Sequence, residues 1–358
     1  MCDNRYKIME TNRNLKNIKY YLPSDRSQND ETVKLDWNEC NIPFNEDYLN
    51  LLRRSIFTVN LSEYPNINNE NLINGLSNYC EVNEENIQIF NGSDSALHYI
   101  FATFLNPETK VLIFYPTYTQ VESYIRLYSN NLNYSYITDL FGKHKYNFND
   151  IEDNDLIYIT NPNNPTGKIL EPSEIEKLLI KYPNKLFVID EAYYEFSNIT
   201  CVRMVKEYSN LIVTRTFSKA FSLASIRLGY ICSNINNISE INKIRNTKEV
   251  NSFAQSLGLT ALNNINYIKE RVDIVNNNKN IFTNELKKLN IEFIESMSNF
   301  VLIKVINSSD LINNLTRKNI LIRDRSSFKG LENCVRITIG ESEVMETIIK
   351  TIKSLYEY

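Results

Sequence analysis

Five short apolar runs punctuate the middle of the chain: IQIF (Ile87 to Phe90), VLIFY (Val111 to Tyr115), LIYIT (Leu156 to Thr160), LFVID (Leu186 to Asp190) and LIVT (Leu211 to Thr214). Each is apolar at nearly every position rather than at every second one, the pattern of a strand buried on both faces. Between several of them lie segments with helical spacing, such as SEIEKLLIKY from Ser173. Strands alternating with helices predict an α/β architecture, a mostly parallel sheet covered on both faces. From about Asn251 to Leu289 the period is helical, with Val272, Val275, Phe282, Leu286 and Leu289 in one stripe. Three more strand candidates follow, FVLIKV, ILIRD and CVRITIG. A last amphipathic helix runs from about Glu341, with Val344, Ile348, Ile352 and Leu355 on one side. The expected organisation is a segment over 1–33, a large α/β domain with its N-terminal arm over 34–250, and an interdomain helix with a smaller α+β domain over 251–358.

Composition removes several classes of function. With 39 basic and 43 acidic residues in 358, the net charge is -4, and no basic surface for nucleic acid is expected. No apolar run approaches the ~18 residues a membrane span needs. The opening MCDNRYKIMETNRN has no apolar signal core, so a cytoplasmic location is expected. Six scattered cysteines without a CxxC read as free thiols in a reducing compartment. His98 and His144 are the only histidines, too few for a multi-histidine metal site or a serine–histidine triad, and no metal is expected. The eight glycines fit neither GxGxxG nor GxxxxGK[ST]. In so glycine-poor a chain, each one marks a backbone position that a side chain cannot take.

In open α/β sheets ligands sit beyond the carboxyl ends of the strands, and the unusual residues fall there. IQIF is followed by NGSDSALHYIF, a turn that opens a helix. Its free N–H groups suit a phosphate, although an ordinary Ser/Asp cap has the same sequence. LIYIT is followed by the loop NPNNPTG, Asn161 to Gly167. LFVID ends on Asp190, where a carboxylate is costly unless it meets a cation, and Tyr193 lies three residues on. LIVT leads into RTFSKAFSLASIRLGY. Lys219 is enclosed there by small and apolar residues, with hydroxyls at Thr216 and Ser218 and a guanidinium at Arg227. An amine nucleophile, a half-buried acid, a phosphate cradle and an arginine at one sheet edge suit pyridoxal 5'-phosphate (PLP). The lysine forms the Schiff base, the acid keeps the ring nitrogen protonated, and the hydroxyls, helix start and arginine hold the phosphate.

From KLDWNE near residue 34 to VRITIG at 335–340, the chain resembles the fold-type I PLP-dependent aminotransferases of class I/II, and most of all the histidinol-phosphate aminotransferase subgroup. The motifs NNPTG, DEAY and the spacing from SK to R carry the likeness. It implies the PLP-transferase fold, a mostly parallel, seven-stranded-type sheet between helices with a smaller C-terminal α+β domain. It implies that Lys219 carries the cofactor, that Asp190 pairs with the pyridinium nitrogen, and that Asn164 and Tyr193 hydrogen-bond the phenolic oxygen. It also places Tyr118 on the ring and Ser93, Asp94, Ser95, Thr216, Ser218 and Arg227 around the phosphate. Tyr64 of SEYPN matches a tyrosine that reaches the phosphate in the other subunit, which implies a homodimer. Arg336 matches the arginine that grips the substrate anion, Arg323 a second arginine near the substrate's phosphate, and Asn38 belongs with them on the substrate side.

The activity so implied is amino transfer between glutamate/2-oxoglutarate and a small phosphorylated amine or ketone. The chain departs from the subgroup where substrate is met. Asn38-Glu39-Cys40-Asn41-Ile42-Pro43 stands in place of Asn-Glu-Asn-Pro-Tyr-Gly, and Ser95 in place of the usual glutamate after GSD. The LDWNE-type opening resembles that of related chains from surface-polysaccharide pathways, which implies amination of dihydroxyacetone phosphate to serinol phosphate as a second candidate beside histidinol phosphate. Decarboxylation of O-phosphoserine or O-phosphothreonine is a different reaction on the same fold. A non-catalytic PLP-fold regulator is a reading of another class. Against it, the roughly thirty residues before the fold show no helix-turn-helix pattern and are not basic.

Overall fold

The computed structural model describes residues 31–356, with Leu15 and Ile18 besides, so most of the expected 1–33 segment lies outside the described residues. A two-residue strand, β1 (Val33–Lys34), precedes helices α1 (Glu46–Phe57) and α2 (Glu70–Cys80). The alternating part runs β2 (Ile87–Phe90), α3 (Ser93–Phe104), β3 (Lys110–Tyr115), α4 (Gln120–Tyr128), β4 (Asn131–Tyr136), β5 (Leu156–Thr160), α5 (Pro172–Lys181), β6 (Leu186–Asp190), α6 (Tyr194–Ser197), β7 (Leu211–Thr216), β8 (Gly229–Ser233) and α7 (Ile235–Asn242). Helices α8 (Ser252–Asn263) and α9 (Ile265–Lys288) lead to β9 (Phe293–Ile294), β10 (Phe300–Lys304), α10 (Ser308–Thr316), β11 (Ile320–Leu321), β12 (Arg323–Asp324), β13 (Cys334–Thr338) and α11 (Ser342–Tyr356).

All five apolar runs are strands of one seven-stranded sheet, ordered β2-β8-β7-β6-β5-β3-β4. From β7 to β4 every neighbouring pair is parallel, and only β8 runs against its neighbours. Alternate residues serve opposite faces, as the strand period requires. Ile157, Ile159, Phe187, Ile189, Leu211 and Val213 pack into one core. Tyr158, Val188 and Ile212 pack into the other, beneath Leu97, Phe101, Ile125 and Ile241 of the covering helices. The apolar pattern does not reveal β4 or β8. The first, NLNYSY, is a half-exposed edge strand and lacks an apolar run.

Two readings need correction. The helical period from Asn251 is broken at Asn264 (φ -118, ψ 34), which ends α8 and begins α9. ILIRD divides in two: β11 pairs in parallel with β1, and β12 pairs with β13 in a second, antiparallel sheet ordered β12-β13-β10-β9. The strap that follows β1 is thus tied to the C-terminal part of the chain. Leu35 N–H donates to the Leu321 carbonyl (2.8 Å), and Thr338 N–H donates to that of Leu35 (3.1 Å).

Register brings the site's strand ends level. Thr160 lies beside Asp190, Asp190 beside Thr214, and Gly229 between Thr216 and Phe90. Two glycines allow the closest approaches. Gly92 has φ +84, and a Cβ there would strike the Arg227 guanidinium; at Gly229 a Cβ would strike the backbone of Gly92 and Ser93.

Directly behind this edge is an ion pair removed from water. Arg215 Nε and Nη2 donate to Glu191 Oε2 at 3.0 and 2.9 Å, with side-chain exposures of 1% and 0%. Thr200 accepts from Arg215 at 2.7 Å, and the guanidinium lies 3.6 Å from the Tyr194 ring centre. Removing one member strands the other charge in the core. Arg215→Met should therefore cost about 3–5 kcal/mol of unfolding free energy, read by urea denaturation, and Arg215→Met with Glu191→Leu should recover most of it. Equal losses in the single and double variants would count against the stranded-charge account.

Candidate active site

A cavity of about 600 Å³ opens beyond the carboxyl ends of the strands. Its floor is built by β6 and β7. Asp190, the last residue of β6, is 4% exposed. It accepts from Tyr158 Oη (2.7 Å), Thr214 Oγ1 (3.0 Å) and the Ala192 N–H (3.2 Å). Burial pushes its carboxyl up to about 6, although the Tyr158 and Thr214 hydrogen bonds pull it down. No cation among the described residues forms an ion pair with it, so the anion is held by dipoles alone and is poised for a positive group. Lys219 follows β7, and its Nζ donates to the Trp37 carbonyl at 2.8 Å. Loss of solvation, and then the nearby Arg336 charge, lower its ammonium to about 8. Tyr193 Oη accepts from Asn38 Nδ2 (2.8 Å) and Asn164 Nδ2 (3.3 Å). Its ring stands edge-on to Phe300.

One end of the cavity has the chemistry of an anion cup. Thr216 Oγ1 donates to Ser218 Oγ (3.0 Å), Arg227 Nη1 donates to the same hydroxyl (3.3 Å), and Arg227 Nη2 meets Asp94 Oδ2 (3.2 Å). The free N–H groups of the first turn of α3, at Ser93 to Ser95, add the positive pole of a helix. Asp94 cannot accept a phosphate through its carboxylate. That group instead receives Tyr118 Oη at 2.9 Å and orients Arg227.

The opposite wall comes from the strap and the smaller sheet. Arg336, 3% exposed, donates to Asn164 Oδ1 (2.6 Å) and to the Asp36 carbonyl (2.5 Å). Arg323 is its direct cross-strand partner, and both line the cavity with Arg325. Asn38 adopts φ 59 and exchanges hydrogen bonds with Thr338: its N–H donates to Oγ1 (3.2 Å), and Oγ1 donates to Oδ1 (3.1 Å). Arg271 of α9 secures the strap beyond, donating to the Ile42 and Pro43 carbonyls and to Ser222 Oγ.

Of the residues singled out in sequence, Asn38, Ser93, Asp94, Tyr118, Asn164, Asp190, Tyr193, Thr216, Ser218, Lys219, Arg227, Arg323 and Arg336 line this one cavity. Two do not. Ser95 turns its hydroxyl away to Glu249 Oε2 at 2.8 Å, leaving only its N–H toward the cup. Tyr64 lies outside, 79% exposed, under Lys248 Nζ. Sequence reasoning missed Trp37, Arg325, Tyr158 and Thr214. A strand period of two carries a signal for two of these: Thr214 precedes Thr216 by two residues and Arg325 follows Arg323 by two.

Residues 52–352 match the family described as aminotransferase class I and II. The chain belongs to that family. It is 36% identical over 363 residues to a dihydroxyacetone phosphate transaminase of Campylobacter jejuni, covering 96% of this chain and 97% of the relative. A histidinol-phosphate aminotransferase of Caldanaerobacter subterraneus is 32% identical over 330 residues, covering 90% and 92%. The solved histidinol-phosphate aminotransferase of Clostridium acetobutylicum superposes with a TM-score of 0.82 at 26% identity, covering 90% and 99%. This aminotransferase is PLP-dependent. The donor set fits that cofactor: a raised acid awaiting a cation, an enclosed amine, and an anion cup whose close approach depends on glycine at 92 and 229. Among the described residues no helix of the aminotransferase is long and apolar enough to cross a membrane.

The lowered ammonium of Lys219 has a consequence for the cofactor-free protein. Its folded value, about 8, lies below the ordinary 10.5, so the unfolded chain holds the extra proton between these values. Stability should rise with pH across that window and fall as pH drops toward 8. Lys219→Met should raise the denaturation midpoint of the stripped enzyme at pH 7 and flatten its rise between pH 8 and 10.5. Parallel pH profiles for parent and variant would contradict this.

Proposed function

We propose that this aminotransferase moves an amino group from glutamate to a small phosphorylated ketone, and that dihydroxyacetone phosphate is that ketone. The observation that carries the reading is one cavity in which Arg323, Arg325 and Arg336 face Lys219 and Asp190. Guanidinium forks pair two oxygens at once and stay charged, so they suit both a phosphate dianion and the carboxylates of glutamate. The Campylobacter jejuni relative supports the three-carbon ketone, as does the strap sequence, which departs from the histidinol-phosphate pattern at Cys40-Asn41-Ile42.

When bound, PLP supplies an electron sink for the charge left on the substrate's Cα. Lys219 would hold it covalently through Nζ. Asp190 would face its ring nitrogen, Asn164 Nδ2 and Tyr193 Oη its phenolic oxygen, and Tyr118 one ring face. Thr216, Ser218, Arg227 and the N–H groups of Ser93 to Ser95 would hold its phosphate. Once the substrate's amine has taken its place on the cofactor, the freed Lys219 amine would be the base that takes the proton from the substrate's Cα, within reach of the Trp37 carbonyl. Arg336, oriented by Asn164 and Asp36, would grip the substrate anion with Asn38 beside it.

Histidinol phosphate is the second reading, favoured by the relatives that bear its name. A panel of phosphorylated substrates separates the two. Glutamate with dihydroxyacetone phosphate should yield 2-oxoglutarate and serinol phosphate, and Lys219→Ala should abolish the transfer. Faster amino transfer between histidinol phosphate and 2-oxoglutarate would reverse the assignment.

Tyr64 supports a homodimer. It belongs to one exposed apolar stretch with Phe57 (86%), Leu61 (78%) and Ile67 (50%), a surface that a second copy would cover. The enzyme should scatter light as a dimer. Phe57→Asp should split it and lower activity together, and a fully active monomer would remove the shared-site role of Tyr64.

A further inference from the structure

We infer that Thr338 is a positioning residue: acting through Asn38, it fixes the direction in which the Tyr193 hydroxyl gives its proton, so that the proton is offered to the phenolic oxygen of PLP. The inference rests on the proposed placement of Tyr193 at that oxygen.

Thr338 follows Arg336 by two residues on β13 and so shares its face of the strand. It is fully buried and does not itself line the cavity. Directly across the β10–β13 ladder stands Phe300, whose ring meets the Tyr193 ring edge-on at 5.2 Å. The phenol is thus packed against one member of this cross-strand pair and hydrogen-bonded, through Asn38, to the other.

The hydrogen-bond directions along this path follow from donors that cannot accept. The Asn38 backbone N–H can only donate, and it gives to Thr338 Oγ1 at 3.2 Å. A hydroxyl carries one proton, and that of Thr338 goes to Asn38 Oδ1 at 3.1 Å. The amide oxygen therefore faces Thr338, and the amide nitrogen is left facing Tyr193 Oη at 2.8 Å. A second amide is set in the same way. Arg336 Nη1, also a donor only, gives to Asn164 Oδ1, which turns Asn164 Nδ2 toward Tyr193 Oη at 3.3 Å.

Tyr193 Oη thus receives from two amide nitrogens, and neither can take its proton. Burial pushes the phenol above its ordinary value, so the proton stays on the oxygen. It is free for an acceptor in the cavity. Without the Thr338 hydroxyl nothing holds the Asn38 amide in this sense. Turned over, the amide would present Oδ1 to Tyr193 and draw the proton away from the cofactor. The backbone of Asn38 would stay in place, because Asn299 Nδ2 donates to its carbonyl at 3.0 Å.

The test is a spectrophotometric pH titration of the PLP-loaded enzyme. A donor at the phenolic oxygen stabilises the negative charge left when the lysine-bound cofactor loses its proton, and so lowers the pH at which this happens. Thr338→Val, which keeps the shape and removes the hydroxyl, should raise that midpoint by about 0.5–1 pH unit, the worth of one hydrogen bond. Thr338→Ser, which restores the hydroxyl, should return it to the parent value. Tyr193→Phe should raise it at least as far, and Thr338→Val added to Tyr193→Phe should raise it no further. Asn38→Gly, which tolerates the left-handed backbone at 38 and lacks the amide, should match Thr338→Val and serves in its place if that variant does not fold. An unmoved midpoint in Thr338→Val or Asn38→Gly, or a Thr338→Val shift that persists in full with phenylalanine at 193, would overturn the assignment. If Tyr193→Phe shifts the midpoint and Thr338→Val does not, the placement of Tyr193 stands and the role of Thr338 falls. If Tyr193→Phe leaves the midpoint unmoved, the placement falls and the inference with it.

Discussion

A carboxylate at the dry end of a central strand is the constraint around which the large sheet is arranged. An ionised acid there is tolerated only where donors converge on it. Asp190 draws its donors from three places: Tyr158 of β5, Thr214 of β7 and the N–H of Ala192 in the turn beyond. The next residue, Glu191, meets the opposite requirement, pairing with Arg215 in the core behind. Two successive acids therefore demand partners on opposite sides of one sheet edge. Moving β6 by one residue against β7 would set Glu191 among the hydroxyls or Asp190 before the guanidinium, and either slip leaves the other acid without its partners. Register at this edge is thus set by charge as well as by apolar burial.

The residues that were legible in sequence are those whose local setting is expensive. Asp190 at the end of LFVID and Lys219 among small and apolar neighbours each stand out against their surroundings, and the five apolar runs declare themselves because both faces are covered. What stayed hidden depends on partners distant in the chain. Ser95 looks like part of the anion cup until Glu249, 154 residues on, takes its hydroxyl. Edge strand β4 carries no apolar signature because half its surface meets water, and the break at Asn264 falls within an uninterrupted helical pattern.

The strap from Val33 to Pro43 joins the two sheets by unusual means. Its first residues pair with β11 and its next with Thr338, both C-terminal to the long helix α9, while its far end is fastened by Arg271 of that helix. Between these moorings it runs along the cavity, and there its contacts alternate in kind. Asp36 and Trp37 offer carbonyls to Arg336 and Lys219, whereas Asn38 offers its side chain to Tyr193.

That division separates what may vary from what must persist. The two cations at the heart of the site are steered by peptide oxygens, which any residue at 36 or 37 provides. The side chains at 36 and 37 take no part in that steering, whereas the side chain of Asn38 is committed to Tyr193 and Thr338. A lineage carrying this architecture can change the residues at 36 and 37 while the peptide oxygens that meet Arg336 and Lys219 remain in place. Divergent specificities among relatives with one shared fold are the outcome such a layout favours.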